Sequence, residues 1–147
     1  MIKIIIASDH AGYSLKEYVK KFLLKKKLSL KDVGTKSEDR VDYPDYAHKL
    51  SKIIKKNKNT FGVLICGSGQ GMIMTANKHK NIRAALCYNV KSTKLSRLHN
   101  DANIITLGSR LISKKKCNKI FKYFFENKVW RWKTQKEIKK NINVERK

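Results

Sequence analysis

The chain has 147 residues, of which 41% are hydrophobic and 31% are charged. This length suits a single globular domain, and the hydrophobic content excludes the intrinsically disordered class. No apolar run approaches the roughly 20 residues that a membrane span requires. The N-terminal stretch has no small-residue cleavage pattern, so we expect a cytoplasmic protein without a secretory signal or a membrane partner.

The charge is strongly basic, because 35 Lys and Arg residues stand against 11 Asp and Glu residues and give +24. A charge of this size suggests a nucleic acid or another anionic partner. However, the excess is almost all lysine and is spread over every predicted helix, whereas a nucleic-acid-binding face gathers its charge and adds arginine. We therefore interpret the charge as a solvated lysine-rich surface and consider a nucleic-acid partner the weaker alternative.

The three cysteines, Cys66, Cys87 and Cys117, lie far apart in the sequence. None forms a CxxC pair, and none has a histidine at the spacing of a metal site. This usage fits a reducing compartment and argues against a structural zinc site.

Strands and helices alternate along the whole chain. In chain order, the apolar patterns predict a strand at 2–8, a helix at 14–26, a weaker strand at 28–33, a helix at 44–56, a strand at 61–66, a helix starting at GMIMTANK (71–78), a strand at 82–88, a helix at 91–98, a strand at 103–108, a helix at 113–126 and a lysine-rich helix at 133–143. This alternation predicts a single α/β, Rossmann-like domain over residues 1–147, with a five-stranded parallel sheet and helices on both faces.

Polar and glycine-rich segments directly follow the predicted strands. They are SDHAG (8–12), GT (34–35), CGSGQG (66–71) and GSR (108–110). An acidic loop, EDRVDYPD (38–45), holds four of the 11 acids and the only proline. Ligands of such folds bind beyond the carboxyl ends of the strands, so we expect the functional site among these segments.

The loop CGSGQG carries three glycines at alternate positions. A triphosphate-binding loop needs a lysine after its last glycine, and a dinucleotide fingerprint needs a small residue there, but Met72 occupies that position. Two interpretations remain. The backbone N–H groups of Gly67–Gly71 form an anion-binding nest at the start of a helix, or the loop is a tight turn without a ligand.

Four side chains could transfer protons, and three of them also have a structural interpretation. Cys66 supplies a thiolate base or nucleophile, or is a buried core cysteine. Asp9, beside His10, is a functional carboxylate or only a helix N-cap, and His99 is an acid/base or only a favourable charge at a helix C-terminus. Together, a thiol, two imidazoles and a carboxylate at a basic cleft favour proton transfer on an anionic small molecule.

The motifs SDHAG, DYPDYA (42–47), ICGSGQG (65–71), SRLHND (96–101) and GSR occur together in this chain. With them the sequence resembles the type B ribose-5-phosphate isomerases, a family that includes allose-6-phosphate and galactose-6-phosphate isomerases. The resemblance implies interconversion of ribose 5-phosphate and ribulose 5-phosphate in the pentose phosphate pathway, through ring opening and a cis-enediol(ate). It also implies a homodimer or homotetramer with the active site at a subunit interface, and no cofactor.

The resemblance also implies roles for individual residues. Cys66 would be the base between carbons 2 and 1, Ser68 would assist it, and His99 would open the sugar ring with Asp9 beside it. The remaining contacts to substrate would come from His10, Tyr43, Asn100, Arg110 and the backbone amides of Gly67, Ser68, Gly69, Gln70 and Gly71, which suit an enediolate.

The C-terminal segment departs from the family pattern. Relatives carry a GGRHxxR motif whose arginines bind phosphate, and an ungapped count places Lys133 and Glu137 at those positions. A carboxylate at position 137 would repel phosphate. Either the register slips, so that Arg131, Lys136 or Lys140 supplies the charge, or Lys133 supplies it as a point charge without bidentate geometry. We take Lys133 and Arg131 as the expected phosphate contacts. We expect 128–147 to be a helical extension that packs at a subunit interface.

Two alternatives follow from these features. Within the same chemistry, the substrate is a six-carbon sugar phosphate such as allose 6-phosphate. In a different class, the protein is a basic nucleic-acid-binding protein built on an inactive isomerase fold, an interpretation motivated by the charge of +24 and the altered C-terminal arginines.

Overall fold

A computed structural model describes residues 2–54, 59–126 and 137–140 of the chain. Five parallel strands form one sheet in the order β2-β1-β3-β5-β4. The strands are β1 (Lys3–Ser8), β2 (Ser29–Asp32), β3 (Thr60–Cys66), β4 (Ala84–Leu86) and β5 (Ile104–Gly108). The helices are α1 (Tyr13–Lys25), α2 (Tyr43–Ile54), α3 (Gln70–Ala76), α4 (Val90–Leu98) and α5 (Lys114–Glu126). The predicted fold class is confirmed.

Each face of the sheet is covered by helices. On β1, Ile4 and Ile6 face a core that includes residues of α1 and α5, whereas Ile5 and Ala7 face a core that includes residues of α2 and α3. All four side chains are fully buried, because alternate residues of a strand point to opposite faces and both faces are covered. This explains why the central strands read as continuous apolar runs.

The fourth strand is shorter than the sequence predicts, since it covers Ala84–Leu86 instead of 82–88. The Arg83 amide donates to the Asn103 side chain instead of to a strand. At the outer edge of the sheet, the Asn77 side chain donates to the Ala84 carbonyl over 3.0 Å and accepts from the Ala84 amide over 2.8 Å. A side chain thus takes the place of a further strand at this edge.

The strands begin on one side of the sheet and end on the other, and different parts of the helices lie on these two sides. All strands run in the same direction and each helix returns the chain, so the carboxyl ends of the strands and the starts of the helices share one edge, here called the carboxyl edge. The helix ends and the strand starts lie at the opposite edge, here called the amino edge.

Part of the predicted C-terminal region lies outside the described residues. Residues 137–140 are helical, and the rest of the predicted helix 133–143, together with Lys133 and Arg131, is not described. The expected packing of 128–147 against a subunit therefore stays a prediction. Among the residues that the structure describes, no helix is both long and apolar enough to span a bilayer.

Candidate active site

The glycine loop follows β3 at the carboxyl edge and lies against β5. Gly69 has a φ of 80°, which is left-handed, and a Cβ atom there would lie 2.5 Å from the Leu86 side chain. The Ser109 amide donates to the Cys66 carbonyl over 2.8 Å, and the Arg110 amide donates to the Gly67 carbonyl over 3.0 Å. The loop is thus a tight turn held by the neighbouring strand end.

The Cys66 thiol stands at the start of this loop. Its Sγ atom accepts a hydrogen bond of 3.1 Å from the Gly69 amide, and the residue is 5% exposed. A hydrogen bond of this kind is stronger when the sulfur carries a negative charge. The arrangement can therefore support a thiolate that takes up and returns a proton.

The other two cysteines have a different environment. Cys87 and Cys117 are fully buried in the core on the α1 and α5 side of the sheet. Burial raises the pKa of the Cys87 thiol, and it raises the pKa of the Cys117 thiol to about 12. Both thiols are therefore protonated at neutral pH, and both are core residues.

Asp9 and His10 follow β1 at the same edge. The Asp9 amide donates to the Ile65 carbonyl over 3.2 Å, and its buried carboxylate accepts from the Gly12 amide over 2.9 Å. Gly12 is the N-cap residue of α1, so Asp9 is not the N-cap itself, but its carboxylate caps the turn that leads into this helix. The His10 Nδ1 atom lies 3.2 Å from the Val41 oxygen and 3.3 Å from the Val41 nitrogen, which ties His10 to the acidic loop.

Tyr43 and Arg110 flank the glycine loop. The Tyr43 ring lies 2.7 Å from the position that a Cβ atom at Gly71 would take, and the Arg110 guanidinium lies 2.7 Å from the corresponding position at Gly67. Glycine at both positions leaves room for these contacts. Ser68 is exposed between them, and its Oγ atom accepts from the Gln70 amide over 3.3 Å.

Ten of the predicted site residues thus meet at the carboxyl edge. They are Asp9, His10, Tyr43, Cys66, Gly67, Ser68, Gly69, Gln70, Gly71 and Arg110. Sequence reasoning missed Ser109, whose Oγ atom donates to the Ala11 carbonyl over 2.8 Å and joins the turns after β1 and β5. Its position in the GSR motif, directly after a strand, was the available signal.

His99 and Asn100 lie at the other edge of the sheet. His99 is the C-cap residue of α4, and the Asn100 carbonyl accepts from the Arg83 side chain just before β4 begins. The five residues of β5, at about 3.3 Å per residue, separate this amino edge from Cys66 by roughly 13 Å. Within one chain, His99 therefore does not reach the Cys66 thiol. Its position fits the structural interpretation, in which it only caps the C-terminus of a helix.

The chemistry of the carboxyl edge follows from these groups. A thiol, a carboxylate, an imidazole, a phenol and a guanidinium surround a loop of backbone amides, and such a set can move protons on an anionic substrate. Within the described ranges, no three His, Cys, Asp or Glu residues are grouped so that they could hold a metal ion.

An α/β fold with these groups at its carboxyl edge belongs to the class of small-molecule enzymes that act at strand ends. The chain belongs to the Ribose/Galactose Isomerase family, whose sequence model matches residues 4–141.

Individual relatives extend this match. Ribose-5-phosphate isomerase B of Escherichia coli K12 is 39% identical over 112 residues, which cover 76% of this chain and 75% of that protein. The structure of the Clostridium thermocellum ribose-5-phosphate isomerase B has a TM-score of 0.96 at 36% identity and covers 99% of this chain and 98% of that one. A Mycoplasma genitalium ribose-5-phosphate isomerase B with bound ribulose-5-phosphate has a TM-score of 0.95 at 36% identity, with coverages of 99% and 97%.

Proposed function

We propose that this protein interconverts D-ribose 5-phosphate and D-ribulose 5-phosphate. The observation that carries the proposal is the Cys66 thiol, held by the Gly69 amide at the end of a central strand, in a family that includes the ribulose-5-phosphate-bound relative. The reaction needs a base that removes a proton from carbon 2 and returns it to carbon 1.

In the proposed mechanism, the sugar ring first opens to the aldehyde. The Cys66 thiolate then removes the proton from carbon 2, which leaves an enediolate, and the resulting thiol returns that proton to carbon 1. The hydroxyl proton of carbon 2 moves to the oxygen of carbon 1, so the step needs no oxidant and no reductant. Ser68, two residues after Cys66 in the loop, assists the thiol in the proposed mechanism.

The enediolate carries negative charge on its oxygens in the proposed intermediate. The backbone amides of the loop Gly67–Gly71 and the Arg110 guanidinium, which lies over Gly67, are proposed to stabilise that charge. His10 and Tyr43 border the loop and are proposed to bind hydroxyls or phosphate. Arg131 and Lys133 are kept as proposed phosphate contacts, although both lie outside the described residues.

We further propose that the site is shared between two copies of the chain in a homodimer, which could also be part of a tetramer. His99, proposed to open the ring beside Asp9, and Asn100 lie at the amino edge of their own chain, so a second copy must supply them. Large apolar side chains around the β4 edge support a contact surface, since Met74 is 62% exposed and Tyr88 is 51% exposed.

Mixing two inactive variants tests the shared site. Cys66→Ala and His99→Asn, each nearly inactive on the cyclic substrate, are refolded together in equal amounts. Random pairing makes half of the dimers mixed, and one of the two sites in each mixed dimer is intact, so about a quarter of the wild-type activity should return. A mixture that stays as inactive as its components would place the whole site within one chain.

The substrate is tested by comparing kcat/KM for ribose 5-phosphate and allose 6-phosphate. We expect the five-carbon sugar to be preferred. A preference for the six-carbon sugar would replace the proposed substrate while leaving the proton-transfer chemistry in place, because both reactions pass through a 1,2-enediolate.

We also propose cytoplasmic residence. All three cysteines are free thiols, including two that lie within the core, and this usage fits a reducing compartment.

A further inference from the structure

A lysine is buried in full beside the candidate site. Lys16, on α1, has an exposed fraction of 0%, and its Nζ atom lies 2.5 Å from Asp32 Oδ2 and 3.3 Å from Glu17 Oε1. Lys20, one turn further on, also contacts Asp32 Oδ2, over 2.8 Å. A buried ammonium is strongly unfavourable without such a partner, so Asp32 is the main counter-charge of Lys16.

The second carboxylate oxygen of Asp32 contacts the main chain instead of a lysine. Asp32 Oδ1 accepts a hydrogen bond of 2.9 Å from the Gly34 amide, in the turn after β2. Gly34 has a φ of 117°, and its open face is covered by the Tyr46 ring, so only glycine fits there. The carboxylate thus joins the buried lysine to a closely packed turn.

That turn is bonded directly to the end of β1. The Ser8 amide donates to the Gly34 carbonyl over 2.7 Å, and the Thr35 amide donates to the Ser8 carbonyl over 2.9 Å. Ser8 is fully buried and is followed at once by Asp9 and His10. A continuous series of contacts therefore runs from Lys16 to the two side chains proposed to serve the substrate.

The charge state of Asp32 fits this arrangement. Burial alone raises the pKa of this carboxyl, but the hydrogen bonds from Lys16, Lys20 and the Gly34 amide outweigh burial and lower the pKa below its ordinary value. Asp32 is thus ionised at neutral pH and can hold both partners at the same time.

We propose that Asp32 is a positioning residue for the active site. Its carboxylate, held by Lys16, fixes the Gly34–Thr35 turn, and this turn fixes the main chain of Ser8 so that Asp9 and His10 face the substrate. The catalytic part of this inference rests on the isomerase function proposed above, whereas the positioning part concerns the fold and can be measured without a substrate.

The test compares two double variants that remove both the buried ammonium of Lys16 and the carboxylate of Asp32. Lys16→Met/Asp32→Asn keeps an oxygen that can accept from the Gly34 amide, and Lys16→Met/Asp32→Leu removes that acceptor. Both remove the ammonium, so neither leaves a buried charge without its partner. The variants therefore differ mainly in the contact that carries the proposal.

Two readouts are taken, namely amide hydrogen exchange at Ser8 and Thr35 and the steady-state constants on ribose 5-phosphate. In the leucine variant we expect exchange at both amides to be about tenfold faster than in the asparagine variant, because the turn has lost its acceptor. In the leucine variant we expect kcat to fall about tenfold or more relative to wild type, with a smaller change in KM. The asparagine variant should keep most of the wild-type kcat. A purely stabilising role would change the melting temperature without this difference in kcat.

The outcomes separate the claims. Equal exchange rates in the two variants would refute the positioning role, and faster exchange with unchanged kcat would refute its link to catalysis. If the leucine variant does not fold, Asp32→Glu takes its place, since it keeps the charge but displaces the acceptor oxygen by one methylene. A wild-type protein without isomerase activity would reject the proposed function, and the exchange rates would still decide whether Asp32 holds the turn.

Discussion

At the scale of the residue, the three thiols show how position decides chemistry. Cys66 ends a strand at the carboxyl edge and receives an amide hydrogen bond, whereas Cys87 and Cys117 lie within the core. The sequence separates them because only Cys66 is followed by a glycine loop. The thiols that the active site does not use should still affect stability.

Replacing Cys117 should reduce the loss of stability at alkaline pH. The folded thiol has a pKa raised to about 12 by burial, whereas an unfolded thiol has a pKa of about 8.5. Above pH 8.5 the unfolded state therefore releases a proton that the folded state keeps, and the free energy of unfolding falls as pH rises. Raising the pH from 8 to 10 should therefore lower the free energy of unfolding by about 2 kcal/mol through this thiol.

Urea unfolding of wild type and Cys117→Ala at both pH values measures this effect. The variant loses some core packing at every pH, so the informative quantity is the difference between the two pH values, which should be smaller in the variant. Cys87 is present in both proteins, so its own alkaline loss affects both alike. If the free energy of unfolding fell by the same amount between the two pH values in both proteins, the raised pKa of the Cys117 thiol would be contradicted.

Gly69→Ala should impair both folding and activity. The substitution places a side chain at a φ of 80° and 2.5 Å from the Leu86 side chain, so we expect a loss of roughly 1–3 kcal/mol in unfolding free energy and a lower kcat. Ser68→Ala, at the exposed neighbouring position, is the control for folding. Wild-type stability in Gly69→Ala would show that the loop is not closely packed as described.

At the scale of the element, β4 is the strand that departs most from its sequence pattern. The run 82–88 is apolar apart from Arg83, but the pattern does not show which of its residues pair with a neighbour. The side chains of Asn77 and Asn103 bond to the main chain here and shorten the strand. Contacts between a side chain and the main chain of another segment leave no signal in the hydrophobic pattern of the strand.

Asn77→Ala should destabilise the sheet edge. It removes the hydrogen bonds to the Ala84 amide and carbonyl, and we expect a loss of about 1–2 kcal/mol in unfolding free energy. Urea unfolding measures it, with Lys78→Ala at an exposed neighbouring position as the control. Two variants of equal stability would mean that these bonds do not support the edge.

The sequence predicted which residues lie at the carboxyl edge and missed the network of contacts behind them. Motifs directly after strands identify Asp9, Cys66 and Arg110, because a parallel sheet brings strand ends together. Lys16 looks like one more surface lysine of a basic helix, and its burial depends on a carboxylate on another strand. The sequence motif alone does not show at which edge His99 lies, because this depends on the direction in which α4 runs along the sheet.

At the scale of the whole molecule, the basic charge should assist capture of an anionic substrate. The net charge of +24 creates a positive potential that attracts a sugar phosphate, and salt screens it over a Debye length of about 10 Å at 0.1 M. We expect kcat/KM to fall severalfold between 10 mM and 300 mM salt, mainly through KM. Constant kcat/KM would show that the lysines do not act on the substrate.

The same charge is the basis of the nucleic-acid alternative. A protein of that class would bind DNA or RNA with a steep dependence on salt and would show no isomerase activity. An active isomerase without such binding would leave the lysines as a solvated surface, which is the interpretation that their spread over the helices favours.

The central claim is that Cys66 transfers the proton in an aldose-ketose isomerisation. It is tested most directly by following the conversion of ribose 5-phosphate by proton NMR with wild type, Cys66→Ala and Cys117→Ala. Each of the two variants lacks one thiol, so Cys117→Ala is the control for the loss of a thiol as such. We predict that wild type and Cys117→Ala form ribulose 5-phosphate, while Cys66→Ala stays folded and forms product at least about a thousandfold more slowly. Turnover by Cys66→Ala at the wild-type rate would contradict the account.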